Sequence, residues 1–170
     1  MSRLTPLNPD SAQGAARDML ADLVDRHGSV GAMVSTMAHS PAVLGGYLQL
    51  SRAMRRAKLD RRVSERLSIA VQAVQGCQVC LRAHRDAAAS LGVDPDEIAR
   101  AHDATSADPA IAAVLAFGMR VYRSPSSITD ADVDDLRAYG YRDREIADVV
   151  GVVALNVLTG AFNLVAGLRE

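Results

Sequence analysis

The sequence predicts an all-α fold of eight or nine helices joined by short loops. Apolar residues recur at helical spacing through most of the chain, and no run shows the alternation of a half-buried strand. Pro, Gly, Ser and Asp fall where helices start and stop.

The elements follow in order from those signals. After an extended Pro-containing arm, Asp10 or Ser11 can cap a helix reaching about Arg26, with Ala15, Met19, Leu20 and Leu23 on one stripe and Gly28 as its stop. Ser29 can cap a short helix through Met33 and Met37. Ser40-Pro41 reads as an N-cap with proline at the first helical position, opening a helix to about Ala57. Asp60 caps a fourth, Arg61 to Gln75, ended by Gly76. A fifth begins at Cys77 and runs to Leu91, with Gly92 where a left-handed residue is wanted. Asp94-Pro95 starts a short helix through Ile98, and Asp108-Pro109 one to about Tyr122, ended by Ser124-Pro125. Thr129 and Asp132 resemble a capping box for a helix ended by Gly140, and Asp143 caps the last. Residues 1–28 are expected to form an arm and first helix packed on the core or on a neighbouring subunit, and 29–170 the main helical domain.

The last helix carries a run from Val149 to Leu168, twenty residues without a charge, long enough for a membrane span. Three glycines, Asn156, Asn163 and Thr159 dilute it, and no flanking cluster of Lys or Arg orients it. The expectation is a central core helix rather than a membrane anchor. A helix apolar on all sides is surrounded by neighbours or by a second subunit, so a homo-oligomer is expected.

Composition narrows the function classes. At 170 residues and 18.0 kDa the chain can bury a full core, and 49% hydrophobic with 23% charged residues rules out generic disorder. Net charge is −1, and the arginines are dispersed among twenty acidic residues, so no basic stripe would track a nucleic acid. The N-terminus has no apolar signal segment, and the chain is expected to be cytoplasmic. There, two cysteines three apart are no disulfide framework.

Cys77, Cys80 and His84 hold the chemistry. At i, i+3 and i+7 they fall on one helical stripe, so the three side chains are expected to meet one small space. The first turn of a helix stabilises an anion and lowers a thiol from its reference value of about 8.5. An imidazole one turn beyond Cys80 can accept its proton, orient it, or donate to a leaving oxygen. Structural zinc would lack a fourth ligand, and two small buried side chains would leave the spacing to His84 unused.

Glu65 lies eleven residues before Gly76 and His84 eight after it. In an antiparallel pair of helices they stand roughly 16 Å and 12 Å from the turn, close enough to meet directly or through water. Periodicity alone gives the opposite reading. Val63, Leu67, Ala70, Val71 and Val74 form the apolar face, with Glu65 and Gln72 opposite on the exposed one.

Glu65, followed twelve residues on by Cys77-x-x-Cys80-x-x-x-His84, resembles the signature of the carboxymuconolactone decarboxylase superfamily in its alkylhydroperoxidase D-like branch. The stretch Met37-Ala-His39-Ser40-Pro41, Ala113 to Phe117, the Thr129 and Gly140 elements and the Asn-bearing final helix are also similar, over about residues 30 to 165. The resemblance implies an all-helical oligomer that reduces peroxides with a thiol, without cofactor or metal. It implies Cys80 as the peroxidatic residue, Cys77 as its resolving partner, and His84 with Glu65 as the proton relay. Its partners would be a peroxide and a dithiol or protein reductant. Better-known members carry a second histidine between the cysteines, where this chain has Val79. The alternative is a CxxC redox carrier or sensor that exchanges disulfides with a protein and turns peroxide over poorly.

Overall fold

The computed structural model describes residues 2–168, and among these every regular element is helical. The helices are α1 (Gly14–His27), α2 (Ala32–Met37), α3 (Pro41–Met54), α4 (Arg61–Gln75), α5 (Gln78–Ser90), α6 (Pro95–His102), α7 (Pro109–Arg123), α8 (Asp130–Ala138) and α9 (Asp143–Ala166), with one 3₁₀ turn at Pro125–Ser127. Proline and glycine mark the ends as expected. Ser40, Asp60, Asp94 and Asp108 accept backbone N–H groups at the starts of α3, α4, α6 and α7, and Gly76 ends α4 in the left-handed conformation at φ 77°.

Several boundaries differ from the sequence reading. Neither Asp10 nor Ser11 caps α1: the Ser11 hydroxyl is turned back to accept the Asn8 N–H, the Asn8 side chain accepts the Asp10 and Ser11 N–H groups in a local turn, and the helix starts at Gly14. Gly31, not Ser29, precedes α2, α3 stops at Met54 rather than Ala57, and α6 runs on to His102. Arg142 is the N-cap of α9, and Asp143 is its first helical residue.

Two helices run through the middle. α4 packs against α5, α6, α7 and α9, and α9 packs against α2, α3, α4, α5, α7 and α8. The main core lies between α4, α7, α8 and α9, around Leu67, Val71, Leu115, Leu136, Val149 and Val153. Leu20, Met37 and Leu44 form a second cluster among α1, α2 and α3, and Ile69, Leu81 and Ala101 a third between α4, α5 and α6. α9 is long and apolar enough to cross a membrane, and in this fold six other helices, α2, α3, α4, α5, α7 and α8, pack against it. Its outer stripe is left bare, with Val150, Val157, Leu164 and Val165 exposed.

The arm returns to the end of α9. The N–H groups of Arg3 and Leu4 donate to the carbonyl of Ala166 at 2.7 and 3.2 Å, and Arg3 Nη1 donates to Leu164 O at 2.6 Å. These bonds satisfy carbonyls that a helix end leaves open. His39 Nε2 donates to Thr5 O at 2.8 Å and pins the same arm further along.

Candidate active site

α4 and α5 form an antiparallel hairpin about the tight turn at Gly76, and the hairpin carries all four residues singled out above. The His84 Nδ1–H donates to Glu65 Oε2 at 2.7 Å, with the two side chains 28% and 15% exposed. Arg61 Nε stands 3.9 Å from the other Glu65 oxygen. Periodicity had put Glu65 and Gln72 on an exposed face. They are covered because α4 is encased on several sides, and Gln72 is fully buried.

Cys77 and Cys80 are joined as a disulfide with their Cα atoms 5.3 Å apart. Both are buried, at 2% and 6% exposure. Cys80 lines a cavity of about 860 Å³ together with Glu65 and His84, between α3, α4, α5 and α9. Apolar walls come from Met33, Met54, Leu59 and Leu155, and polar groups from Tyr47 and Thr159. Cys77 does not line that cavity. It is the N-cap of α5, with extended backbone at φ −80° and ψ 91°, and so lies off the helical stripe that carries Cys80 and His84. It faces a second cavity of about 640 Å³ instead. Val79, between the two cysteines, lines both.

A buried polar row on α9 completes the site. Asn163 Nδ2 donates to Cys80 Sγ at 3.2 Å. Two turns earlier, Asn156 Nδ2 donates to Ser68 Oγ at 2.8 Å, and Gln72 Nε2 donates to both the Asn156 carbonyl at 3.0 Å and its Oδ1 at 2.8 Å. These bonds fix the rotation of α9 against α4, and with it the position of Asn163 over the sulphur. The sequence did hold a signal for them. Two asparagines seven residues apart on an apolar helix share a face, and a buried amide requires partners. Asn163 Oδ1 has none, nor have Gln72 Oε1 and Gln75 Oε1.

The assembly therefore has a pair of cysteines joined as a disulfide, an imidazole hydrogen-bonded to a carboxylate in the cavity that Cys80 lines, and an amide donor on the Cys80 sulphur. Such a set can hold a thiolate, deliver a proton to a leaving oxygen, and close a disulfide.

Residues 41–119 match the family model of the carboxymuconolactone decarboxylase family, a segment that includes Glu65, Cys77, Cys80 and His84. No curated protein matches the chain by sequence. Among solved structures it is similar to an alkylhydroperoxidase AhpD core, an uncharacterized peroxidase-related protein from Ralstonia eutropha JMP134, with TM-score 0.82 and 20% identity over 99% of this chain and 92% of that one. It is also similar to an uncharacterized peroxidase-related protein from Silicibacter sp. TM1040, with TM-score 0.77 and 20% identity over 98% and 92% of the two chains. A third likeness is to the debrominase Bmp8, with TM-score 0.75 and 18% identity over 98% and 91%. Residues 41–119 thus resemble the carboxymuconolactone decarboxylase family, and the chain as a whole has the fold of an alkylhydroperoxidase AhpD core.

Proposed function

We propose that this chain is a thiol-dependent peroxidase, reducing hydrogen peroxide or alkyl hydroperoxides through a Cys77/Cys80 dithiol–disulfide cycle with Glu65 and His84 as the proton relay. One observation carries the reading: Cys80 and the hydrogen-bonded His84–Glu65 pair line a single cavity. The Cys80 thiolate attacks one peroxide oxygen. An S–O bond forms, the O–O bond breaks, and the departing alkoxide takes a proton from His84 and leaves as the alcohol. Glu65 holds the imidazolium formed when His84 has taken the Cys80 proton. Cys77 then gives up its thiol proton and attacks the sulfenic sulphur, hydroxide takes that proton, by way of the relay or solvent, and leaves as water, and the disulfide results. An external dithiol returns the pair to the reduced state.

The cavity, at about 860 Å³, is sized for an organic molecule. That supports an organic hydroperoxide as the substrate. Bmp8 has also been crystallised, as a variant, with 2,3,4-tribromopyrrole, so a halogenated aromatic is the competing occupant to assay alongside it.

The deciding experiment is peroxide consumption with a dithiol reductant. Cys80→Ser should abolish turnover, and Cys77→Ser should leave a sulfenic acid that a dimedone-type probe traps on Cys80. His84→Ala should slow turnover on the order of 100-fold, the scale of one general acid or base. Unchanged peroxide kinetics in His84→Ala would refute the relay and favour the redox-carrier reading, in which disulfide exchange requires only a thiolate and access.

We further infer that copies of the chain associate through the bare stripe of α9. Val150, Val157 and Leu164 recur every seven residues and are exposed, as on a helix seam that meets a like seam.

A further inference from the structure

Besides Cys80, the His84–Glu65 pair and its apolar walls, the larger cavity is lined by two arginines, Arg55 just past the end of α3 and Arg61 at the start of α4. Both are exposed, Arg61 with 75% of its side chain in solvent, whereas Cys80 is buried. The guanidinium groups therefore stand at the opening and the sulphur at the inner end. Long basic side chains lay their stems along apolar surface and keep the charged head in water, which suits such a rim.

These arginines belong to a local excess of positive charge. Of residues 52–62, Arg52, Arg55, Arg56, Lys58, Arg61 and Arg62 are basic and Asp60 alone is acidic, in a chain whose net charge is −1. The carboxylates around this corner are engaged elsewhere. Asp60 accepts the Arg62 N–H at the start of α4 and pairs with the Arg62 guanidinium. Asp148 on α9 accepts the backbone N–H groups of Lys58 and Leu59, which also ties the α3–α4 loop in place. Glu65 holds His84 at 2.7 Å and stands 3.9 Å from Arg61. Among the described residues Arg55 forms no ion pair.

Uncompensated cations beside low-dielectric walls concentrate anions, and a guanidinium takes a carboxylate through two parallel hydrogen bonds. An apolar cavity with the reacting sulphur inside and cations at its mouth is thus complementary to an amphipathic anion. We propose that this cavity selects an organic hydroperoxide bearing a carboxylate, with the carboxylate on Arg55 and Arg61 and the hydroperoxide turned inward to Cys80. The inference rests on the peroxidase reading above and names its substrate class. Arg55 is the residue that discriminates, because Arg61 also stands beside Glu65 of the relay.

The test uses two substrates of one shape, cumene hydroperoxide carrying a para-carboxylate and the methyl ester of that acid, with full-length protein and dithiothreitol as reductant. The ratio of kcat/KM for the acid over the ester is expected to be about tenfold, the scale of a hydrogen bond between charged groups. It should fall toward one as salt is raised from about 0.01 M to about 1 M, where the screening length shrinks from roughly 30 Å to roughly 3 Å. Arg55→Gln should cut the low-salt ratio to about twofold or less, and Arg55→Glu should take it below one. Because the readout is a ratio, a general loss of activity in either variant cancels. A wild-type ratio near one, or a ratio that neither variant lowers, would overturn the proposal. If neither hydroperoxide is consumed, the peroxidase reading falls, and calorimetry with the tertiary alcohols that reduction of the two would leave still decides the anion site. The acid alcohol should bind wild type about tenfold more tightly than its ester and lose that advantage in Arg55→Gln; equal binding to wild type would overturn the site.

Discussion

Gly160 on α9 lies where that helix comes closest to α4, and replacing it with alanine tests the packing that holds the site together. A Cβ there would overlap Gln75 Oε1 outright and stand 2.5 Å from Gln72 Oε1. Gln75 can give way, since it is half-buried and its one bond, Nε2–H to Val157 O, is long at 3.4 Å. Gln72 cannot move cheaply. It is fully buried and its amide donates twice to Asn156. Displacing it forfeits two hydrogen bonds at about 1 kcal/mol each, within the range of roughly 1–3 kcal/mol for overpacking a core. The new methyl returns up to about 1 kcal/mol of helix propensity. The net expectation is a loss of about 1–2 kcal/mol, or about 2–8 °C in Tm for a chain of this size. Gly46→Ala is the matched control, because nothing lies within 4 Å of its Cβ position on exposed α3, so it should gain up to about 1 kcal/mol. Thermal melts of the two variants beside wild type give the answer. A Gly160→Ala protein that melts at or above wild type, moving with Gly46→Ala, would show that α4 and α9 are not in the close register described.

Three further outcomes are expected. The Ser106 hydroxyl, with the Ala107 N–H and the Arg66 guanidinium, holds the Glu97 carboxyl below its usual range. Its contribution is therefore complete above the unfolded value of about 4.3 and is lost as pH falls through the lower folded value. Glu97→Gln should flatten the acid limb of a Tm-against-pH curve. It should also cost about 3 kcal/mol at neutral pH, by leaving the buried Arg66 charge without its partner. An unchanged acid limb would refute the assignment. Asn163→Leu, in a Cys77→Ser background, should slow alkylation of Cys80 by iodoacetamide at neutral pH about tenfold, since a hydrogen bond to a charged group is worth roughly 1.5–3 kcal/mol; an unaltered rate would deny the amide a hold on the thiolate. Val157→Asp should shift the mass measured by light scattering toward the monomer. A wild-type protein already monomeric at micromolar concentration would remove the α9 association.

The helix count, most helix boundaries and the chemistry-bearing hairpin were legible because proline, glycine and short polar caps act on their own neighbours. Asn8 shows the limit of that reading: it draws the Ser11 hydroxyl and the Asp10 and Ser11 N–H groups into a turn of its own, and the cap expected of Asp10 or Ser11 does not form. Glu65 and Gln72 were misplaced by periodicity because a helical wheel assumes one buried face, and α4 has neighbours nearly all round. Cys77 was misplaced by one residue. Once the helix starts at Gln78 rather than Cys77, the i, i+3, i+7 stripe loses its first member, and the two sulphurs face different cavities. Asn163 over Cys80 could not be read from spacing at all, since the contact joins residues 83 apart through the packing of α9 on the hairpin.

The bond from Arg3 to Leu164 spans 161 residues, whereas the His84–Glu65 contact spans nineteen and the two cysteines three. Closing a loop loses entropy that grows with its length, so local pairs form before distant ones. On this ordering the α4–α5 hairpin comes together first, and α9 and the arm seat against it afterwards. A young chain in contact with oxidant can therefore join Cys77 to Cys80 as soon as the hairpin exists, with no wait for the rest of the fold. In a chain that closes this bond early, the amide of Asn163 arrives at a sulphur already engaged, and the site has to be reduced before its first turnover.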